Sequence, residues 1–251
     1  MGSPHLSLWW EPDDRSEVDN ARGLSQFVNG LPAFDPVYES WLESPETQND
    51  VLPVPLSEAA ATQILTDSRT RDDLGRLMPR LGSHVAAGHA GSPPYDFRES
   101  HIAGTRCGIG NSARSGAVLP NFLFMRLAAL RSPTGRPWRA SELRPLMKFA
   151  REIWRPGEMC ALFSFSSRFL PEIPDPSWAA GKRTLKPWIG WITYLPPHLA
   201  ARANHPGDVD VETLDDGAAL VTLCEEPFDK TDAEGMARLH ALEAALRPIQ
   251  S

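Results

Sequence analysis

The sequence predicts an α+β fold, with helices packed on a mainly antiparallel sheet in a single domain. Three observations predict it. Residues 188–195, Trp-Ile-Gly-Trp-Ile-Thr-Tyr-Leu, are apolar on both alternating faces, the pattern of a strand covered on both sides. Glycine-punctuated segments between 83 and 125 carry the short apolar runs of antiparallel strands. Several other stretches repeat apolar residues at three and four, each preceded by a capping residue. The chain has 251 residues, enough for a sizeable core. One domain over 1–251 is expected, with a subdivision near 131–140 as the alternative.

In chain order, residues 6–10 alternate as a first strand, and a polar turn follows. Asp14, three residues before Glu17, marks a helix start. Val18, Ala21, Leu24, Phe27, Val28 and Leu31 give that helix one apolar face. Asp35-Pro36 opens a short helix through Trp41, and residues 44–56 form a proline-bearing loop. Ser57 caps a helix carrying Ala60, Ile64 and Leu65. After the charge-dense residues 69–73 comes a short helical stretch ending at Leu81-Gly82. Strands are expected over 84–88, 98–107 and 117–125. A linker at 131–137 leads to a helix over 141–154 with Leu143, Leu146, Ala150 and Ile153 on one face. Residues 158–166 read as a mostly buried strand, and 167–187 as an irregular loop with Trp178.

The two-faced strand at 188–195 is ended by Pro196-Pro197, because proline donates nothing to a ladder. An acidic turn at Asp215-Asp216-Gly217 precedes the apolar run 218–224. Thr231-Asp-Ala-Glu234 is a capping box for a last helix, with Met236, Leu239, Leu242 and Leu246 on its inner face.

Net charge is −7, which argues against general nucleic-acid binding. The charge is unevenly distributed. Residues 1–50 hold ten acids against two bases, and residues 206–235 ten acids against one lysine. Residues 126–155 hold eight bases against two acids. Solvated faces account for this pattern, and so does a docking surface for a cationic partner. The three cysteines, Cys107, Cys160 and Cys224, are far apart and sit in apolar stretches, so buried thiols in a reducing, cytoplasmic setting are expected. The N-terminus lacks the basic-then-apolar pattern of a signal peptide.

Motifs for chemistry are sparse. Gly108-Ile-Gly110 lies between strand-like segments, where no helix N-terminus can hold a phosphate. The seven histidines are scattered, with none at zinc spacing to a cysteine. No G-x-S-x-G elbow is present. The acidic pairs Asp13-Asp14, Asp72-Asp73, Asp215-Asp216 and Glu225-Glu226 all sit in polar sequence. No cofactor, no metal and no catalysis are expected. A small-molecule enzyme with a pocket near residues 104–116 is the enzymatic alternative.

The order of short motifs resembles the bacterial immunity protein 52 family. It is carried by the first strand ending in Trp10 and Pro12, by Ala33-Phe-Asp-Pro-Val-Tyr-Glu-Ser-Trp41, by Ser68-Arg-Thr-Arg-Asp-Asp73 with Leu81-Gly82, and by Arg106-Cys-Gly108. Gly190-Trp-Ile-Thr-Tyr-Leu195, Asp216-Gly217 and Phe228-Asp229 complete it. Glu11, Asp13 and Asp14 make the first turn more acidic than the family pattern. The resemblance implies an antitoxin, not an enzyme. Its partner would be a cognate effector toxin, often delivered by type VI secretion and of restriction-endonuclease fold, neutralised in the cytoplasm without direct contact to nucleic acid or membrane. An effector-loading adaptor is the alternative binding role. With a nuclease's cationic groove as target, the candidate contacts are Glu11, Asp13, Asp14, Asp208, Asp210, Asp215 and Asp216, with Trp9 and Trp178 as aromatic anchors.

Overall fold

A computed structural model describes residues 5–10, 15–39, 41–42, 51–52, 55–78, 82–89, 104–109, 121–127, 137–156, 160–163 and 189–249. Among the described residues ten strands form one sheet: β1 (His5–Trp10), β2 (Trp41–Leu42), β3 (Val51–Leu52), β4 (Ser83–His89), β5 (Gly104–Ile109), β6 (Asn121–Arg126), β7 (Cys160–Phe163), β8 (Ile192–Leu195), β9 (Asp210–Thr213) and β10 (Ala219–Thr222). Their order is β3-β2-β4-β5-β6-β1-β7-β8-β10-β9, and every pairing is antiparallel. The helices are α1 (Glu17–Gly30), α2 (Glu58–Asp67), α3 (Ala140–Trp154), the single-turn α4 (Pro197–Ala200) and α5 (Ala233–Leu246). The α+β expectation holds.

Of the two-faced stretch expected as a strand over 188–195, only Ile192–Leu195 is strand; residues 189–191 precede it, Gly190 donating its N–H to the Thr193 hydroxyl, and Trp188 lies outside the described residues. β8 lies between β7 and β10, and residues 189–195 are all buried. Trp191 donates its indole N–H to the Cys224 carbonyl at 2.7 Å, so its polar atom is satisfied inside the core.

Opposed residues on neighbouring strands share a face. The register therefore puts Leu6, Met125, Leu162, Ile192, Thr222 and Asp210 on one face of the sheet. Trp10, on that face too, stacks on Trp154 of α3 at 5.3 Å. The helix layer covers this side. Phe27 of α1 meets Trp154 and Phe149 of α3 at 6.0 and 5.9 Å. Arg15 donates to the Trp154 carbonyl at 2.8 Å, satisfying an orphan acceptor at the end of α3 and tying it to the start of α1.

Several elements differ from expectation. Ser16, not Asp14, caps α1, its hydroxyl accepting from the Asp19 N–H at 3.1 Å. Val18, expected on the buried face of α1, is exposed. The helix expected from Pro36 to Trp41 is a 3-10 turn over Pro36–Glu39, and Trp41 pairs in β2. β3 falls inside the expected loop 44–56. Asp232, one residue past Thr231, caps α5 through the N–H groups of Glu234 and Gly235. Gly108 lies within β5 and pairs with His84 and Phe122. The loop expected at 167–187 lies outside the described residues.

The helical stretch expected before Gly82 is a tight hairpin instead. Arg71 bridges Leu77, and the Met78 N–H donates to the Thr70 carbonyl at 2.9 Å. One carboxylate oxygen of Asp72 accepts from the N–H groups of Leu74 and Arg76, each at 2.9 Å. The other accepts from the Arg76 guanidinium at 2.7 Å. Gly75 has φ +75°, which a helix cannot contain.

Candidate functional site

The candidate acids of the C-terminal half occupy one edge of the sheet. β9 is the edge strand, and β10 returns from it through a turn in which Gly217 has φ +83°. Asp210 opens β9, Asp208 lies just before it, and Asp215 and Asp216 form the turn. The Asp216 carboxylate accepts from the Ala218 N–H at 3.1 Å, which fixes that turn.

These acids do not stand alone. Asp210 and Glu212 point to the helix side of the sheet, and α3 lies across that side with a basic stripe. Arg144 pairs with Asp210 at 2.7 Å, Lys148 with Glu212, and Arg151 with Asp216. Four helical residues rise about 6 Å. Two strand residues rise about 6.6 Å. The steps 144 to 148 and 210 to 212 therefore match, and the rungs stay in register. The row continues past Arg144. Arg139 pairs with Glu226 at 3.0 Å, and the Ser141 hydroxyl bonds Glu225. Four bases of the segment 126–155 thus pair with acids of the segment 206–235.

Two candidate acids keep more of their charge outward. Asp208 is exposed, and among the described residues its cationic neighbour is Arg238, at 3.7 Å. Asp215 is exposed and has no ion pair among the described residues. Trp9 is in β1 opposite Phe122. Glu11, Asp13, Asp14 and Trp178 lie outside the described residues.

Among the described residues no three metal-binding side chains converge. Cys224 is a free thiol, half-buried rather than fully buried, and donates to the Glu226 carbonyl at 3.1 Å. Burial pushes its pKa up, which keeps it protonated and a poor nucleophile. His205 has its pKa lowered by burial, and its Nδ1 has no hydrogen-bond partner among the described residues. No helix among the described residues is long and apolar enough to cross a membrane.

The family model for Immunity protein 52 matches residues 6–247, nearly the whole chain. The chain belongs to the immunity protein 52 family. No curated protein matches it. Among solved structures, the Pseudomonas aeruginosa T6SS protein PA0821 is similar in fold, with TM-score 0.52 and 11% identity over 97% of this chain and 73% of that one. At that identity the likeness concerns fold alone. Membership of that family implies a protein that binds a cognate effector toxin.

Two features of the surface go beyond the sequence reading. The first is the α3–β9 row of ion pairs. Its signal is present, since bases at 144, 148 and 151 follow one helix stripe and acids at 210 and 212 follow one strand face. The second is the 70–78 hairpin, whose apolar residues are turned outward.

Proposed function

We propose that this immunity protein binds a cognate effector toxin, a nuclease delivered by type VI secretion, and neutralises it in the producing cell's cytoplasm. The observation that carries this reading is the family match over residues 6–247. The net charge of −7 supports a cationic target, because a nuclease must present positive charge to the phosphate backbone. An acidic partner is steered onto such a groove and displaces nucleic acid from it.

The candidate contacts divide by charge balance. Asp210 and Asp216 are already paired with arginines, so they would help the encounter little. Asp208 and Asp215 project charge into solvent and would lead it. Trp9, Glu11, Asp13, Asp14 and Trp178 remain proposed contacts on the strength of sequence alone.

The test is co-expression with the toxin gene beside this one, joined to a nuclease assay on the purified pair. Restored growth, co-purification and loss of cleavage are expected. Binding that leaves cleavage intact would instead identify an effector-loading adaptor. With the complex in hand, the double substitution Asp208→Asn and Asp215→Asn is expected to slow association several-fold at low salt. It should leave dissociation nearly unchanged, since rim charges act on the encounter. An unaltered association rate would remove these two acids from the proposal.

A further inference from the structure

β9 ends the sheet, and among the described residues no strand lies beyond it. The hairpin joining β9 to β10 decides which backbone groups face that open side. The Leu214 N–H donates to the Ala218 carbonyl at 2.8 Å, and the Gly217 N–H to the Leu214 carbonyl at 2.9 Å. This is a three-residue connection with Gly217 in the left-handed region, at φ +83°. Leu214 and Ala218 are therefore a hydrogen-bonded pair. In an antiparallel ladder such pairs alternate with non-bonded ones. By the register, the next bonded pairs are Glu212 with Leu220 and Asp210 with Thr222. Val211 and Thr213 thus turn their N–H and C=O groups away from β10, toward the open edge. Both residues are exposed.

A row of free ladder groups is a template for another strand. The side chains say which strand fits. Val211 and Thr213 lie on the face away from α3, where Val221, beside Val211 on β10, is fully buried. Asp210 and Glu212 lie on the α3 face. Charges turned inward ordinarily discourage strand addition. Here Arg144 and Lys148 offset them, so the barrier falls for a strand of suitable charge. The pairs are also oriented. Asp210 is 59% exposed and Arg144 21%, and Asp216 is 44% exposed and Arg151 21%. Glu212 and Lys148 are exposed alike. An arriving strand therefore meets carboxylate oxygens ahead of the guanidinium groups behind them, with the unpaired Asp215 at the turn.

A second copy of this chain is a poor occupant. Two-fold pairing of β9 with β9 centred on Val211 sets Asp210 opposite Glu212. Centred on Glu212, it sets that residue opposite itself. Like charges directly opposite destabilise a strand pair. A strand with lysine or arginine at those positions is attracted instead.

We propose that the toxin docks by laying an extended segment of its own along β9, hydrogen-bonded to Val211 and Thr213. Its basic side chains face Asp210 and Glu212, and apolar ones lie beside Val211. This rests on the toxin-neutralising reading and adds the mode of contact. The test measures affinity of the full-length protein for the adjacent gene's toxin, inactivated at its catalytic residues. Val211→Pro removes one outward N–H and sets a ring in the path of an added strand, while the bonds to β10 stay available. It should raise Kd at least about tenfold, because a buried polar group of the toxin loses its partner. Val211→Ala keeps the N–H and should cost far less. Thr213→Pro repeats the measurement at the second outward position and decides if Val211→Pro perturbs the fold. In the wild-type complex the Val211 and Thr213 amides should exchange hydrogen more slowly than in the free protein, which decides if neither proline variant folds. Wild-type binding with an unchanged Kd in a folded proline variant, or amide exchange unaltered by the toxin, overturns strand addition alone. A wild type that fails to bind overturns the toxin reading as well. Proline variants that turn a dimer into a monomer while binding the toxin normally overturn the proposal and give the edge to a second copy.

Discussion

Reversing the acids of β9 tests whether the row of ion pairs holds the sheet edge to the helix layer. The variant is Asp210→Arg with Glu212→Lys, leaving Arg144 and Lys148 in place. Exposed pairs contribute about 0.2–1 kcal/mol each. Here the basic partners are only 21% and 35% exposed, which favours the upper end of that range. Losing two pairs therefore costs about 1.5 kcal/mol, and the new like-charge contacts add a similar amount. The total is about 3 kcal/mol in 50 mM NaCl, at roughly 2–4 °C of melting temperature per kcal/mol for a chain of this size. At 1 M salt the screening length shrinks to about 3 Å, and less than half of the loss should remain. Adding Arg144→Asp and Lys148→Glu restores opposite charges. Recovery should reach about two-thirds. It stops short because the carboxylate introduced by Arg144→Asp would face Glu225, which lies 4.0 Å from the native Arg144 guanidinium. Arg151 is left alone, since it also lies over the Tyr194 ring at 5.6 Å. Urea denaturation of wild type, reversed variant and swapped variant at both salt concentrations reads all of these effects. A reversed variant within about 0.5 kcal/mol of wild type at low salt, or no recovery on the swap, would refute the reasoning.

Two further outcomes follow from local geometry. At Gly30 an added Cβ would lie 2.2 Å from Phe149, whose ring is also hemmed by Phe27 and Phe34 at 5.9 and 5.4 Å. Gly30→Ala should therefore destabilise by about 1–3 kcal/mol despite alanine's better helix propensity, and Phe149→Leu should relieve part of that loss in a denaturation cycle. The Asp72 carboxyl is held below its ordinary value of 3.8, chiefly by the Arg76 N–H and then by the Arg76 side chain. Its support of the hairpin is full above about pH 4 and is lost as pH falls through the lowered folded-state value. Protease cleavage within 70–78 should rise only below that point, whereas Asp72→Asn should show no such acid dependence.

Much of the fold is legible because burial is periodic. The faces of α1, α2, α3 and α5 and the two-faced β8 announce themselves through apolar spacing. The departures have physical reasons. β9 escapes a sequence reading because Asp210 and Glu212 turn toward the cations of α3 and not toward an apolar core, which inverts the usual alternation. The 70–78 hairpin reads as helix because Leu74, Leu77, Met78 and Leu81 fall at helical spacing. Asp72 and Gly75 override that spacing by capturing the backbone, and Leu74, Leu77 and Met78 are left in water. Caps shift by one or two residues because Asp14 competes with Ser16 and Thr231 with Asp232. The acids of the candidate surface are visible as composition. Their neutralisation is not, because it depends on two segments 66 residues apart meeting in space.

The position of β1 sets a timetable for synthesis. This strand leaves the ribosome well before its two neighbours in the sheet, β6 and β7, the latter ending at Phe163. At about 5–20 residues per second, the ribosome needs on the order of ten seconds or more to supply them. Until β6 is made Leu6, Leu8 and Trp10 have no neighbouring strand to pair with, and until β7 is made the other edge of β1 stays open. Exposure of these three side chains to other apolar surfaces is therefore longest early in synthesis.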